Sequence, residues 1–459
     1  MITIVEPIVH IDRVWGKQKI IEDGKYRLMQ YVLRVDYDGK VLLHNTVSGQ
    51  LVELSQAEAE ALNELPTAYK PAMEALIRDH YLVLNSCDEH YQVLCLRDIF
   101  QKIINNGRRV KGIITSYTIL QTTACNARCY YCFEHGVPSV TMSEQTAEYT
   151  VEFIKNHYDP ESVVSIRWFG GEPTIAANRI DQICIGLQNN GIKYSSSMTT
   201  NGYLLDDNMV ERAKLLWNLR DVMISIDGTE RNYNEIKAYV NAEDNPYQRV
   251  LRNIGYLLDQ EISVSLRMNF DIDNYQDFKE VLNEAKNRFH NNKKLMVYAF
   301  PIEGAYPNKH GKISHASDEW LFEKVAELND MARDMDLFHM EKELPSLNVS
   351  SCNAGSPNFM VITAKGELGR CSGIFYEHNQ IVGNVKDGLT DNHYYDSWRR
   401  FADPCKCRSC TFFPSCMLIE RCPSRDKCFQ AETYQQYKES VEHVYYRYKN
   451  DDLKMKGGI

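Results

Sequence analysis

The placement of its fourteen cysteines constrains this 459-residue chain more than any other feature. Three of them, Cys125, Cys129 and Cys132, fall within a few residues, and eight more lie between Cys352 and Cys428. The start of the chain, Met1 to Trp15, already carries Glu6, His10, Asp12 and Arg13, so no secretory signal is expected. The default location is then the cytoplasm, where thiols stay reduced, and clustered cysteines point to metal or redox chemistry rather than disulfides. Cys87, Cys95 and Cys184 stand alone and read as small core hydrophobes.

Hydrophobic residues make up 44% of the chain and charged residues 25%, the balance of a globular protein long enough for two or three cores. The net charge is −10, with no Lys/Arg block, so a nucleic-acid surface is not expected. No apolar run reaches the length that spans a bilayer, so no membrane segment is expected either.

Three regions follow, with expected boundaries at 1–106, 107–317 and 318–459. In the first, Arg27–Asp36 alternates and is followed by the hairpin signal Asp38-Gly39. Short strands are predicted over Val41–His44 and Gln50–Leu54, and Ser55 with Glu58 makes a capping box for a helix to Leu62. A further helix over Tyr69–Asp79 completes a winged-helix-like α+β module. The middle region alternates strand and helix. Strands are predicted near Ile113–Leu120, Val163–Phe169, Tyr194–Thr199, Val222–Ile226, Ser263–Phe270 and Lys294–Phe300. Helices are predicted over Ser143–His157, Arg179–Gln188, Asp206–Trp217, Pro246–Leu258 and Tyr275–Phe289. Six such units predict an α/β fold, a partial parallel (β/α)6 barrel whose chemistry sits at the carboxyl ends of its strands. The last region opens on a helix to Asp334 and closes on one over Ala431–Lys449. Between them it is expected to be loop-rich, with little core of its own and bound metal to organise it.

The run Cys125-Asn-Ala-Arg-Cys129-Tyr-Tyr-Cys132 immediately follows the first barrel strand. Three thiolates so spaced can ligate a [4Fe–4S] cube and leave one iron open. On spacing alone, a zinc site completed by His135 is the competing reading. Further motifs follow successive strands: Gly170-Gly171-Glu172-Pro173, then Thr199-Thr200-Asn201-Gly202, then Ser225-Ile226-Asp227-Gly228, then Arg267 and Asn269. Each is weak alone, and their joint order carries the weight.

Together these residues resemble the radical S-adenosylmethionine (SAM) enzymes. The resemblance implies a SAM cluster on Cys125, Cys129 and Cys132, with SAM on its open iron. Electron transfer then yields a 5′-deoxyadenosyl radical that abstracts a hydrogen. It also implies that Tyr131 packs near the adenine, that Gly170, Gly171 and Glu172 hold the methionine ammonium, and that Asn201, Ser225 and Asp227 line the site. Arg267 would pair with the SAM carboxylate.

The eight later cysteines match the needs of two further [4Fe–4S] clusters, with two zinc-ribbon-like sites as the alternative of equal ligand count. This stretch resembles the SPASM domain of radical SAM enzymes. It departs from that domain's run after Cys416, where Glu420 stands at the expected cysteine and Cys422 follows. The resemblance places one auxiliary cluster on Cys407, Cys410, Cys416 and Cys428. The other falls to Cys352, Cys371 and Cys422, with Cys405 as fourth ligand or an iron left open. The first hundred residues are similar to the RiPP recognition element of peptide maturases, in which a leader peptide adds a strand to a sheet edge. That edge is expected at Val41–His44 and Gln50–Leu54.

The implied activity is a peptide maturase that installs a crosslink, with a Cys thioether as the expected bond. A sulfatase-type maturase forming formylglycine and a peptide epimerase are the alternatives. The implied partners are a precursor peptide and an electron donor such as flavodoxin or ferredoxin. No general acid or base stands out, and Glu303 reads equally as solvated surface.

Overall fold

A computed structural model of the chain describes residues 1–109, 112–289, 292–302, 317–340, 344–348, 352–373, 380–390, 397–398, 400, 402–403, 407–416, 419–422 and 430–450. Contacts divide the chain into two compact units. The first comprises Met1–Gly107, Glu341–Cys352 and Arg400–Ile459, and the second Arg108–Met340 and Asn353–Arg399.

The first unit opens with β1 (Ile2–Val5), β2 (Lys25–Leu28), β3 (Val32–Tyr37), β4 (Lys40–Asn45), β5 (Leu51–Glu53), β6 (Thr67–Ala68) and β7 (Leu82–Leu84). These form an antiparallel sheet in the order β1-β5-β4-β3 and a small one in the order β6-β2-β7. Asp38 and Gly39 both take positive φ, 51° and 68°, the hairpin geometry their sequence predicts. Ser55 and Glu58 cap the helix Gln56–Asn63 reciprocally, as read. One expectation fails. The Val41–His44 and Gln50–Leu54 strands leave no open edge, because β3 pairs with β4, and β1 pairs with β5. The edges of that sheet are β1 and β3.

A 21-residue helix, Glu89–Arg109, was not anticipated. The closing helix Gln430–Lys449 lays Val441 and Tyr445 against Leu33, Val35, Leu42 and Leu51. Each side chain so buried contributes about 1.5–3 kcal/mol relative to exposure. The Tyr445 hydroxyl stays satisfied by donating to Glu53 at 2.8 Å.

His44, on β4, is fully buried near the Pro345 carbonyl, and burial pushes its imidazole down to about 3. An unfolded chain protonates this histidine near pH 6.5, and the folded unit does not. Stability is therefore undiminished above pH 6.5 and falls as pH drops from there toward 3. By pH 5 the loss is about 2 kcal/mol. Denaturant titrations at pH 7 and pH 5 should show that slope in the wild type and a flatter one in His44→Leu.

The second unit carries β8 (Ser116–Thr122), β9 (Val164–Gly170), β10 (Tyr194–Thr200), β11 (Leu219–Ile226), β12 (Ser263–Phe270) and β13 (Leu295–Pro301). All six are parallel and adjacent in chain order. Helices Glu144–Asn156, Ala177–Asn189, Asp207–Leu215, Pro246–Asp259 and Phe278–Phe289 lie between them, close to the predicted spans. Alternation along each strand sorts the two faces. On β11, Val222, Ile224 and Ile226 are buried in the core while Met223 and Ser225 are half-exposed on the other face. The result is an α/β fold with a large, mostly parallel sheet.

That sheet continues beyond β8 in a way the sequence reading missed. β14 (Phe359–Ile362) pairs parallel to β8, and β15 (Glu367–Gly369), β16 (Gly383–Asn384) and β17 (Gly388–Leu389) follow antiparallel. Met360, Ile362, Leu368, Val382 and Val385 belong to the main core, so this stretch is not the coreless loop expected. The helix Asp318–Asp334 also packs there, through Leu321, Leu328 and Ala332. Among the described residues no helix is long and apolar enough to cross a membrane.

Candidate active site

The loop Thr123–Cys132 leaves the carboxyl end of β8 and is braced from β9. The Glu172 amide donates to the Ala124 carbonyl at 2.8 Å, and the Gly171 amide to that of Thr122 at 3.0 Å. A Cβ on Gly171 would stand 2.4 Å from the Ala124 oxygen, and one on Gly170, where φ is +118°, 2.2 Å from the Thr122 oxygen. Only glycine lets the two strand ends approach this closely. Glu172 is fully buried, and burial pushes its carboxyl up, opposed by the donors around it. Those donors are Thr174 N and Oγ1, Thr200 Oγ1 at 2.8 Å and the Asn201 amide at 2.8 Å. Asn201 Nδ2 in turn donates to Asn126 at 2.7 Å, tying the end of β10 to the cysteine loop.

Beneath the loop lies a second buried constellation. The Tyr131 hydroxyl donates to Asp227 at 2.8 Å and accepts from Asn269 Nδ2 at 2.9 Å. Lys237 Nζ reaches Ser225 Oγ at 2.7 Å, Tyr131 Oη at 3.1 Å and Asp227 Oδ2 at 3.1 Å. Lys237 and Asp227 are both essentially inaccessible. Burial alone would lower the Lys237 ammonium, but Asp227, Tyr131 and Cys129 outweigh it and hold it well above its ordinary value. Sequence reasoning missed Lys237, because it missed the helix Glu230–Lys237 that carries it. That helix is anchored by Asp277, which accepts from the Thr229 amide and from Asn232. Gly228 makes room for this, since a Cβ there would stand 2.4 Å from the Asp277 carboxylate.

Cys125, Cys129 and Cys132 line one cavity of about 960 Å³, together with Tyr130, Asp271 and Asn274. Burial raises all three thiols, Cys125 to about 12. A zinc site made with His135 would need these groups within reach of one ion. Among the described residues no three His, Cys, Asp or Glu side chains converge on one ion position, so the placement of these cysteines decides neither for zinc nor for a cluster. The Arg267 guanidinium lies 4.8 Å from the Phe300 ring, and its buried Nε has no partner among the described residues. The structure thus brings Tyr131, Ser225 and Asp227 into one network and Gly170, Gly171, Glu172 and Asn201 into another. Arg267 is the register partner of Ser225 across β11 and β12, but among the described residues no side-chain hydrogen bond ties it to either network.

The later cysteines divide between the units. Cys352, Cys407, Cys410, Cys416 and Cys422 belong to the first and Cys371 to the second. Cys405, Cys428 and Glu303 lie outside the described residues. From Cys407 the chain winds through successive three-residue turns, with amide-to-carbonyl bonds from Cys410 to Cys407, Phe413 to Cys410 and Cys416 to Phe413 at 3.1, 3.1 and 3.2 Å. Cys407 and Phe413 are buried in the same core as Tyr31, Val47 and Leu96.

Residues 119–285 match the Radical SAM superfamily. A GTP 3',8-cyclase of Shewanella denitrificans is 28% identical over 155 residues, which are 34% of this chain and 43% of that protein. The match thus spans less than half of that relative's length. Among solved structures, anSMEcpe with bound AdoMet superposes with a TM-score of 0.55 at 17% identity, covering 73% of this chain and 94% of its own. Streptococcus suis SuiB bound to S-adenosylmethionine superposes at 0.52 and 17%, covering 87% and 95%. SuiB bound to its precursor peptide SuiA gives 0.51 and 17%, covering 85% and 94%. At such identities these likenesses speak for the fold. Residues 119–285 of the chain thus carry a radical SAM domain. Enzymes of that superfamily use SAM and a [4Fe–4S] cluster.

Proposed function

We propose that this enzyme is a cytoplasmic peptide maturase that crosslinks a ribosomally made peptide, with a Cys thioether as the bond formed. The observation that carries the reading is the extent of the likeness to SuiB. It covers 87% of this chain, well beyond the matched barrel residues, and SuiB has been captured with a precursor peptide. Residues 1–106 serve as a leader-binding module, whose open sheet edges at β1 and β3 suit strand addition.

Cys125, Cys129 and Cys132 hold the SAM cluster, and their shared cavity has the room for it. When bound, the cluster and SAM supply one-electron chemistry that ends in hydrogen abstraction. This chain's residues do the positioning. Gly170 and Gly171 let the strand end abut the cysteine loop, while Glu172 and Asn201 fix its far side. Asp227, Ser225, Tyr131 and Lys237 form its floor. The Arg267 Nε, without a partner among the described residues, suits the SAM carboxylate. In the SPASM-type region, the Cys407–Cys416 turns present thiols for an auxiliary cluster, within a pair of such clusters. Flavodoxin or ferredoxin supplies electrons.

Anaerobic co-expression with the small peptide encoded beside the gene, followed by mass spectrometry, tests this. Loss of a hydrogen pair, with one cysteine protected from alkylation, is the expected result. An unmodified peptide despite competent SAM cleavage would sink it and favour a formylglycine-forming maturase. A mass change seen only in deuterated solvent would indicate epimerisation.

A further inference from the structure

Within the second unit, the parallel sheet has one face on the hydrophobic core and one turned away from it. Where parallel strands close on themselves, the inner face normally packs branched apolar side chains. Here an apolar cluster of Leu120, Phe359 and Val361 covers only the flank at β8 and β14. From β9 to β13 the face is largely polar. Arg167, Ser197 and Asp221 form one row across β9, β10 and β11. Ser225, Arg267 and Tyr298 form a second across β11, β12 and β13. Asp221 and Ser225 stand an even number of residues apart on β11, so both rows share one face. The intervening Ile166, Ile224, Leu266 and Val297 all go to the core instead.

The two arginines turn toward each other. β9 and β13 lie four strand spacings apart, and at about 4.8 Å each a flat sheet would put roughly 19 Å between them. Yet Arg167 and Arg267 both act on the Tyr298 phenol, opposing the rise that burial gives it. The sheet therefore curves, and both guanidiniums face one concave surface. Neither has an ion-pair partner among the described residues, and Asp221, with Ser197 between it and Arg167, reaches neither. Two like charges on one concavity repel, and an anion between them relieves both. A carboxylate suits the donors present, since it accepts the planar guanidinium fork in bidentate fashion and leaves lone pairs for hydroxyls. In the reading above Arg267 takes the SAM carboxylate. Arg167 is left for a second anion.

We propose that Arg167, with Ser197 and Tyr298, forms a subsite for an acidic side chain of the substrate, which is then a peptide bearing Asp or Glu near the residue modified. This rests on the peptide-maturase reading, and the controls keep the two separable.

Arg167 is exposed, so Arg167→Gln should fold with wild-type stability. The anaerobically purified full-length enzyme is titrated with the peptide encoded beside the gene, and with versions in which each Asp or Glu becomes Asn or Gln. One of those changes should weaken binding about tenfold. Arg167→Gln should weaken the unaltered peptide equally and the altered one no further, because both changes remove the same contact. Arg167→Glu paired with Lys at that peptide position should recover most of the affinity, which a structural arginine would not allow. Losses that add, an Arg167→Gln enzyme that binds like the wild type, or a peptide with no acidic position that matters overturns the proposal. If the wild type does not bind the encoded peptide at all, the maturase reading fails. Acetyl-Gly-Glu-Gly amide against acetyl-Gly-Gln-Gly amide, followed by ligand-observed NMR, then decides the subsite. A preference for the glutamyl peptide that Arg167→Gln abolishes supports a carboxylate subsite; equal or absent binding overturns it.

Discussion

Replacing Cys125, Cys129 and Cys132 together with alanine should reduce SAM cleavage to background and remove one cluster's iron from the purified enzyme. The three thiols share one loop and one cavity, and nothing else among the described residues lines that cavity with sulfur. The loop itself should survive. Its brace is backbone, through the Gly171 and Glu172 amides, and the Glu172 carboxylate is saturated from β10. The triple variant should therefore unfold near the wild-type denaturant midpoint in the metal-free state, with the loss confined to chemistry. Metal analysis and the yield of 5′-deoxyadenosine under dithionite check this. Wild-type cleavage by the triple variant would end the assignment.

The second large effect is expected at Lys237. Lys237→Met strips its ammonium from a carboxylate, Asp227, that has no access to water. Tyr131 and Asn269 still donate to it, but breaking a buried ion pair from one side costs about 3–5 kcal/mol. Urea unfolding should show that loss. Removing the other charge as well, in Lys237→Met/Asp227→Asn, should recover most of it, because a neutral amide can share the hydrogen bonds of Tyr131 and Asn269. Stability and function should then separate. The double variant should stay poor in SAM binding, since the floor beneath the cysteine loop has lost its charge and its geometry. A double variant no more stable than the single would show that the pair is not coupled.

The parallel sheet of the second unit was the most legible part of the chain. Its strands are long, bounded by helices, and read as alternating or continuous apolar runs such as Val222–Ile226, so period and length agreed. The cysteine triad and the motifs after each strand were legible because function puts unusual residues at strand ends. What escaped was either short or polar. β15, β16 and β17 are only three, two and two residues long, too short for any period to register. The helix Glu230–Lys237 buries just Tyr233 and Lys237, so it carries almost no apolar signal. Nothing in the local sequence marks Lys237 as buried, since its partners come from the end of β11 and the cysteine loop. The helix Glu89–Arg109 is a different case. Val93, Leu96 and Phe100 stand at helical spacing, and the signal was available. The sheet edge was misplaced for a related reason. Ile2–Val5 is short, and pairing β1 with β5 depends on contacts that no local pattern records.

The pairing of β14 with β8 bears on how the protein is made. As the chain emerges from the ribosome, β8 and its five parallel neighbours are complete long before Phe359–Ile362 appears. Until then the outer flank of β8 offers unpaired amides and carbonyls, a template for pairing with other chains. The first unit waits longer still, because it joins Met1–Gly107 to Arg400–Ile459 and cannot close until the intervening chain of the second unit has been made. Such distant pairings are slow to form and leave partly built chains exposed to aggregation. Fragments cut between the barrel and Phe359 would inherit the open flank as a permanent feature.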